Sequence, residues 1–212
     1  DLDLLQWLIG ARAVRVFASS KQMAFGGNKP DDLTCGACDE RLTCPESDLA
    51  MRDRKAPGYG HVAGTSPCCF ARAADAADDE MCMLEYDSGV HAVYVATYYT
   101  PPSFNDREIQ IVGDRGLLEI EHGSESHGGG RIRVFPRFRS ATEFSEERFD
   151  SQSRGHLQGD MGLIRHFYDV VVSGAAPRTT IAQAFLAEAT GYAAIRSAAT
   201  AQPVGVDDLL PG

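Results

Sequence analysis

The sequence predicts an α+β domain: an open, mainly antiparallel sheet with helices packed on one face, plus a long cysteine-containing loop insert. Three observations predict it. Short alternating strands are joined by hairpin turns, apolar residues at helical spacing gather towards the ends of the chain, and residues 21–80 show little periodicity of either kind. An antiparallel sheet covered on one face leaves the other to solvent or a partner, so the open face is the expected contact of a homo-oligomer.

The elements follow in order. Leu2, Leu5, Leu8 and Ile9 form a helical stripe that Gly10 stops. No initiating Met and no upstream cap precede Asp1, so the chain is expected to be a fragment that opens inside a structural element. Residues 13–19 alternate as a strand, and Phe25-Gly-Gly-Asn-Lys-Pro30 breaks regular structure and opens the loop. Residues 81–86 and 90–99 flank the turn Asp87-Ser-Gly89, and Pro101-Pro102 ends the second strand of that hairpin because proline cannot donate to a ladder. A second hairpin joins residues 107–112 to 117–121 through Gly113-Asp-Arg-Gly116, and residues 131–135 form a further strand. A polar segment, 137–158, leads to the helices. Asp160 is the expected N-cap of one, whose apolar face is Leu163, Ile164, Phe167, Val170 and Val171 before Gly174. Thr179 or Thr180 caps the last, with Ile181, Phe185, Tyr192 and Ile195 as its stripe. Glu188 falls on that stripe, where burial would demand an ion-pair partner.

Composition narrows the function classes. The 212 residues, with 43% hydrophobic side chains, suffice for a sizeable core and are read as one domain with the insert at 21–80. A formal charge of -10 argues against non-specific binding to nucleic acid or an anionic membrane. No apolar run reaches the length of a membrane span and no signal-peptide pattern opens the chain, so a cytoplasmic protein is expected.

Six cysteines do not make a disulfide scaffold at this size; crowded cysteines in a non-secreted chain more often bind metal or do chemistry. Cys35-Gly-Ala-Cys38 has the spacing of a knuckle that aims two sulfurs at one tetrahedral ion. Cys44 closes a third position, and Cys68, Cys69 or His61 supplies the fourth. Cys35, Cys38, Cys44 and Cys68 are therefore the candidate ligands of a structural zinc, a closed site with no open position for chemistry. Free thiols and disulfides are the competing readings, whereas a thioredoxin-like role fails for want of a βαβ context. His156, just ahead of a helix start with Asp160, can meet an anionic or hydroxylated substrate, or be a solvated loop histidine. Tyr98 and Arg107 flank a strand end and can hydrogen-bond sugar hydroxyls, against a plain packing role for Tyr98.

Several stretches together resemble the C-terminal domain of the Gfo/Idh/MocA oxidoreductases. Asp1-Leu-Asp3-Leu-Leu-Gln-Trp7-Leu-Ile-Gly10 is similar to the family's His-Asp-x-Asp-x-x-x-Trp-Leu-x-Gly helix, and Ile111-Val-Gly113-Asp-Arg-Gly116 to its Ile-x-Gly-x-x-Gly turn. His156-Leu-Gln-Gly159-Asp160 resembles a His-Gly-Gly-Gly-Asp segment of one branch, Phe185-Leu-Ala-Glu188 its Phe-Ala-Ala-Glu, and Cys68-Cys69-Phe70 its Cys-x-aromatic pattern. The resemblance implies an N-terminal Rossmann domain, outside this sequence, that binds NAD or NADP. It also implies a catalytic His immediately before Asp1, so that no catalytic residue lies within the chain. Asp3, one turn from that His, is then a substrate contact or simply a cap. With no strand–Gly-x-Gly-x-x-Gly–helix unit, the chain is not expected to bind a dinucleotide or turn over alone. Two functions are left. One is the substrate-binding and oligomerising part of an NAD(P)-dependent oxidoreductase acting on a sugar, polyol or related hydroxy compound. The other is a non-catalytic, zinc-stapled binding or assembly module.

Overall fold

The computed structural model describes residues 1–50, 62–100, 107–122, 130–140, 142–149 and 157–210. The α+β class holds, and the strands divide into two four-stranded antiparallel sheets, each in its own compact unit. No helix among the described residues is long and apolar enough to cross a membrane.

The first unit comprises Asp1–Tyr99 and Arg178–Gly212. Helix α1 (Leu2–Ile9) ends at Gly10, whose φ of 70° is the left-handed conformation that glycine adopts without a Cβ penalty. Strands β1 (Ala13–Lys21), β2 (Asp79–Tyr86) and β3 (His91–Thr97) form a meander, with Gly89 at φ 82° in the β2–β3 turn. The short β8 (Val204–Gly205) joins the far edge, giving the order β3-β2-β1-β8. One face of this sheet is apolar at every second position, with Val16, Ala18, Cys82, Leu84 and Tyr86 buried. Helices α1 and α3 (Ile181–Thr200) cover that face. Thr180 caps α3 through a reciprocal bond with Gln183, as its sequence position predicts.

The face that α3 buries differs from the expected one. Ala189, Thr190, Ala193 and Ser197 are buried, whereas Ile181, Phe185, Tyr192 and Ile195 are exposed, as is Glu188. The reason is close approach: small side chains let the helix lie directly on β1. Because β8 pairs only with Arg15 and Val16, the next amide on that edge, Ala18 N–H, lacks a strand partner. It donates to Ser197 Oγ at 2.9 Å, and that hydroxyl donates in turn to the Gln202 carbonyl at 2.6 Å. A small polar residue at this point on α3 completes the ladder.

The second unit comprises Thr100–Pro177. Its strands β4 (Arg107–Gly113), β5 (Gly116–His122), β6 (Gly130–Pro136) and β7 (Ser145–Phe149) form a simple meander. One face carries Glu119 and Glu121 opposite Arg133 and Arg131, joined by ion pairs of 2.6–2.8 Å. Strand β7 lies inside the stretch read as a polar segment. Its charges conceal the alternation, but they place Glu146 opposite Arg133 and let β7 pair along the edge of β6. Helix α2 (Leu157–Ser173) begins before Asp160, so that residue is not its N-cap, and Leu163, Ile164, Phe167 and Val171 of its expected core face are exposed.

Candidate functional site

Between β1 and β2, within the first unit, the described residues hold one 3-10 turn (Cys35–Ala37) and two isolated bridges, Lys29 to Ala71 and Thr34 to Pro67. The backbone there is nevertheless well tied. Cys35 N–H donates to the Ser66 carbonyl at 3.0 Å, Gly36 N–H to Gly64 at 2.8 Å, and Cys68 N–H to Leu33 at 2.9 Å. Gly36 and Gly64 are required where these two stretches touch. A Cβ on Gly36 would stand 2.9 Å from the Gly64 carbonyl oxygen, and Gly64 itself sits at φ 86°.

These pairings bring Cys35, Cys38, Cys44, Cys68 and Cys69 round one cavity of about 130 Å³, which Phe25 and Phe70 also line. All five are half-buried free thiols. Burial, then the Glu46 carboxylate and the neighbouring sulfurs, pushes the Cys69 thiol up to about 11. Cys82 is a free thiol in the β2 core, pushed by burial to about 11, and takes no part. Among the described residues no group of three or more Cys, His, Asp or Glu side chains is already poised to hold a metal ion. His61 lies outside the described residues. Cationic charge stands nearby: Arg41 lines the cavity, and Lys29 bonds Glu40 at 3.0 Å.

Two carboxylates that sequence reasoning missed hold the insert in place. Asp78 accepts from the backbone N–H groups of Met23, Ala24 and Phe25 at 2.6–2.9 Å, which turns the chain out of β1. Burial works to raise its carboxyl, but the three donors outweigh that and hold it below its ordinary value of 3.8. Asp48 accepts from Gly64 N–H and from Ser66 Oγ, at 2.7 Å for the hydroxyl. Neither contact has a sequence signal, since the partners lie 53–55 residues from Asp78 and 16–18 from Asp48 and any loop aspartate reads alike.

The expected substrate contacts fall on different elements of the chain. Asp3 is exposed in the first turn of α1. Tyr98 follows β3 with its backbone bonded to Asp78 (2.9 Å) and its side chain 62% exposed, while Tyr99 Oη donates to Asp79 at 2.8 Å. Arg107 is the first residue of β4, in the second unit and opposite His122. His156 lies outside the described residues. All strand pairs within the two sheets are antiparallel, so the described residues contain no parallel βαβ unit of the kind that cradles a dinucleotide.

A family model described as the oxidoreductase family, C-terminal alpha/beta domain, matches residues 1–206. No curated protein matches the chain. Among solved structures, the chain is similar to an oxidoreductase from Agrobacterium radiobacter in complex with NAD+, L-tartaric acid and magnesium, with 16% identity, 99% of this chain and 47% of that one covered, and a TM-score of 0.60. It is similar to the aldose-aldose oxidoreductase from Caulobacter crescentus complexed with glycerol, at 17% identity over 96% and 44% of the two chains, with a TM-score of 0.55. It also resembles the WlbA dehydrogenase from Bordetella pertussis in complex with NADH and UDP-GlcNAcA, at 16% identity over 100% and 42%, with a TM-score of 0.51. The chain thus spans less than half the length of each. At these identities the likeness is one of fold.

Proposed function

Since the chain belongs to the oxidoreductase family with this C-terminal alpha/beta domain, we propose that it is the substrate-facing and oligomerising part of an NAD(P)-dependent enzyme acting on a sugar, polyol or related hydroxy compound. The observation that carries the reading is the extent of the family match, which runs over residues 1–206. When bound, the nicotinamide supplies or accepts the hydride at the substrate carbon. The described residues offer no dinucleotide cradle, so a separate domain is assigned that task. The relatives solved with NAD+ or NADH, and with tartaric acid, glycerol or a UDP-sugar, support a nicotinamide and a hydroxylated substrate.

In this reading the chain binds and orients the substrate. Asp3 accepts a substrate hydroxyl at the start of α1, Tyr98 offers a phenolic hydroxyl at the end of β3, and Arg107 offers a planar fork of donors to hydroxyl or carboxylate oxygens. His156 is the further candidate, as a donor or acceptor ahead of α2. The oligomer contact is assigned to the open face of the first sheet, where Met81, Met83, Val93 and Val95 are exposed and paired in register.

The test uses the full-length protein that contains this chain. It should bind NAD(H) or NADP(H), turn over a member of a panel of sugars, polyols and hydroxy acids, and sediment as a dimer or larger. Tyr98→Phe should raise KM for the accepted substrate roughly 3- to 10-fold, the effect of one lost neutral hydrogen bond, and leave nicotinamide affinity unchanged. A full-length protein that binds no nicotinamide would overturn the oxidoreductase reading in favour of a metal-stapled assembly module, and a monomer would remove the assigned contact.

A further inference from the structure

We propose that the thiol cavity of the insert is a zinc site, with Cys35, Cys38, Cys44 and Cys68 as its four ligands and the cohesion of the insert as its purpose. The inference is independent of the oxidoreductase reading, because a closed four-sulfur site supplies no open position for chemistry.

The first argument is energetic. Of the described insert residues, 22–50 and 62–78, the apolar side chain that is buried is Ala71; Ser47 and Asp78 are the polar ones. With so little apolar side chain buried among these described residues, the insert relies on directed bonds, and small folds in that position commonly add a cross-link, of which metals and disulfides are the usual ones. The insert cysteines are free, so disulfides do not supply the cross-link.

The second argument is placement. The ligands come from three stretches that are apart in sequence: the 35–38 turn, Cys44, and the 66–69 segment. Each is fixed through its backbone, and all border one cavity. The Gly36–Gly64 contact lets the first and third stretches approach more closely than any side chain would allow. Cys68 rather than Cys69 is assigned as the fourth ligand because it directly follows Pro67, which bridges Thr34, the neighbour of Cys35. Its own N–H also bonds Leu33, on the same stretch. The Cys69 carbonyl instead takes the Gly26 N–H at 2.7 Å, at the other end of the insert. Among the described residues no three such side chains are placed to hold an ion as they stand, so binding requires rotation of the cysteine side chains about a backbone held by the hydrogen bonds above.

The third argument is chemical. A donor set of sulfur alone selects a soft or borderline ion and rejects calcium and magnesium, which take oxygen. Four thiolates on one zinc leave two negative charges; Arg41 stands on the cavity wall to offset them, while Lys29 is paired with Glu40 and Glu46 adds a carboxylate to the lining.

The experiment is elemental analysis of the full-length protein purified without chelator. One zinc per chain is expected, lost in Cys38→Ser and Cys68→Ser and retained in Cys69→Ser. Because a serine variant can misfold, the wild-type protein is also stripped of metal and titrated with cobalt. One equivalent should give the visible d–d bands of tetrahedral cobalt together with thiolate charge-transfer absorption. Protein without stoichiometric metal that also gives no such cobalt bands would overturn the proposal. So would iron with acid-labile sulfide, or a mass showing disulfides among these cysteines. Loss of metal from Cys69→Ser with retention in Cys68→Ser would overturn the ligand assignment.

Discussion

Where α3 lies on the sheet, Val16 of β1 and Ala193 of α3 are 0% exposed and Leu84 of β2 is 1%; among the described residues of the insert that leaves β1 and returns to β2, the buried side chains are Ala71, Ser47 and Asp78. The two regions lie in one unit of the chain and are held by different forces. The sheet gains from removing apolar surface from water, about 1.5–3 kcal/mol for each large side chain, and that gain does not depend on direction. The insert depends on directed bonds: three N–H groups on Asp78, Gly64 and Ser66 on Asp48, and backbone pairs along the 33–36 and 64–68 stretches. Such bonds add little net stability when made, yet each costs its full desolvation when a buried partner is removed. The contrast indicates that the sheet sets global stability and that the insert opens first.

That contrast can be broken by mutation. Leu84→Ala should have the largest effect, about 3 kcal/mol of global unfolding free energy in urea titration, because it leaves a cavity under α3. A loss below about 1 kcal/mol would mean that the sheet is not the stabilising element. Asp78→Asn should act locally, speeding amide exchange of Met23, Ala24 and Phe25 while the β1–β2 amides stay protected. The sign with pH follows from its depressed carboxyl. Stability from Asp78 is present above the ordinary value of 3.8 and is lost as pH falls through the lower folded value. The wild-type insert should therefore loosen in acid below the ordinary carboxylate range, a step the asparagine variant lacks; identical acid profiles would refute the assignment. The smallest effect is expected at Ile181, which is 90% exposed: Ile181→Gln should change stability by less than about 0.5 kcal/mol in the same urea titration.

Much of the fold is legible because its signals are local. Gly10 ends α1, Asp87-Ser-Gly89 and Gly113-Asp-Arg-Gly116 turn the two hairpins, and Thr180 caps α3, each through chemistry within a few residues. Strand β7 is hidden because its alternation is of charge against charge on β6. In the candidate site, Cys35, Cys38, Cys44 and Cys68, which the spacing singles out, line one cavity together with Cys69. Cys69 is visible as an alternative ligand, but the anchoring by Asp78 and Asp48 is not, since it depends on contacts 53–55 and 16–18 residues away. Tyr98, Arg107 and His156 follow from their places at strand and helix ends and Asp3 from resemblance, and neither carries distance information between Asp3, Tyr98 and Arg107.

The amino-acid sequence by itself determined where the helices and the two hairpins lie, because turn, cap and periodicity chemistry acts over a few residues. Which face of α3 turns inward was decided by tertiary structure alone. A hydrophobic stripe of Ile181, Phe185, Tyr192 and Ile195 is the stronger local signal, yet the helix seats Ala189, Ala193 and Ser197 on β1. Only small side chains allow that approach, and only a hydroxyl there satisfies the Ala18 amide that the two-residue β8 leaves open.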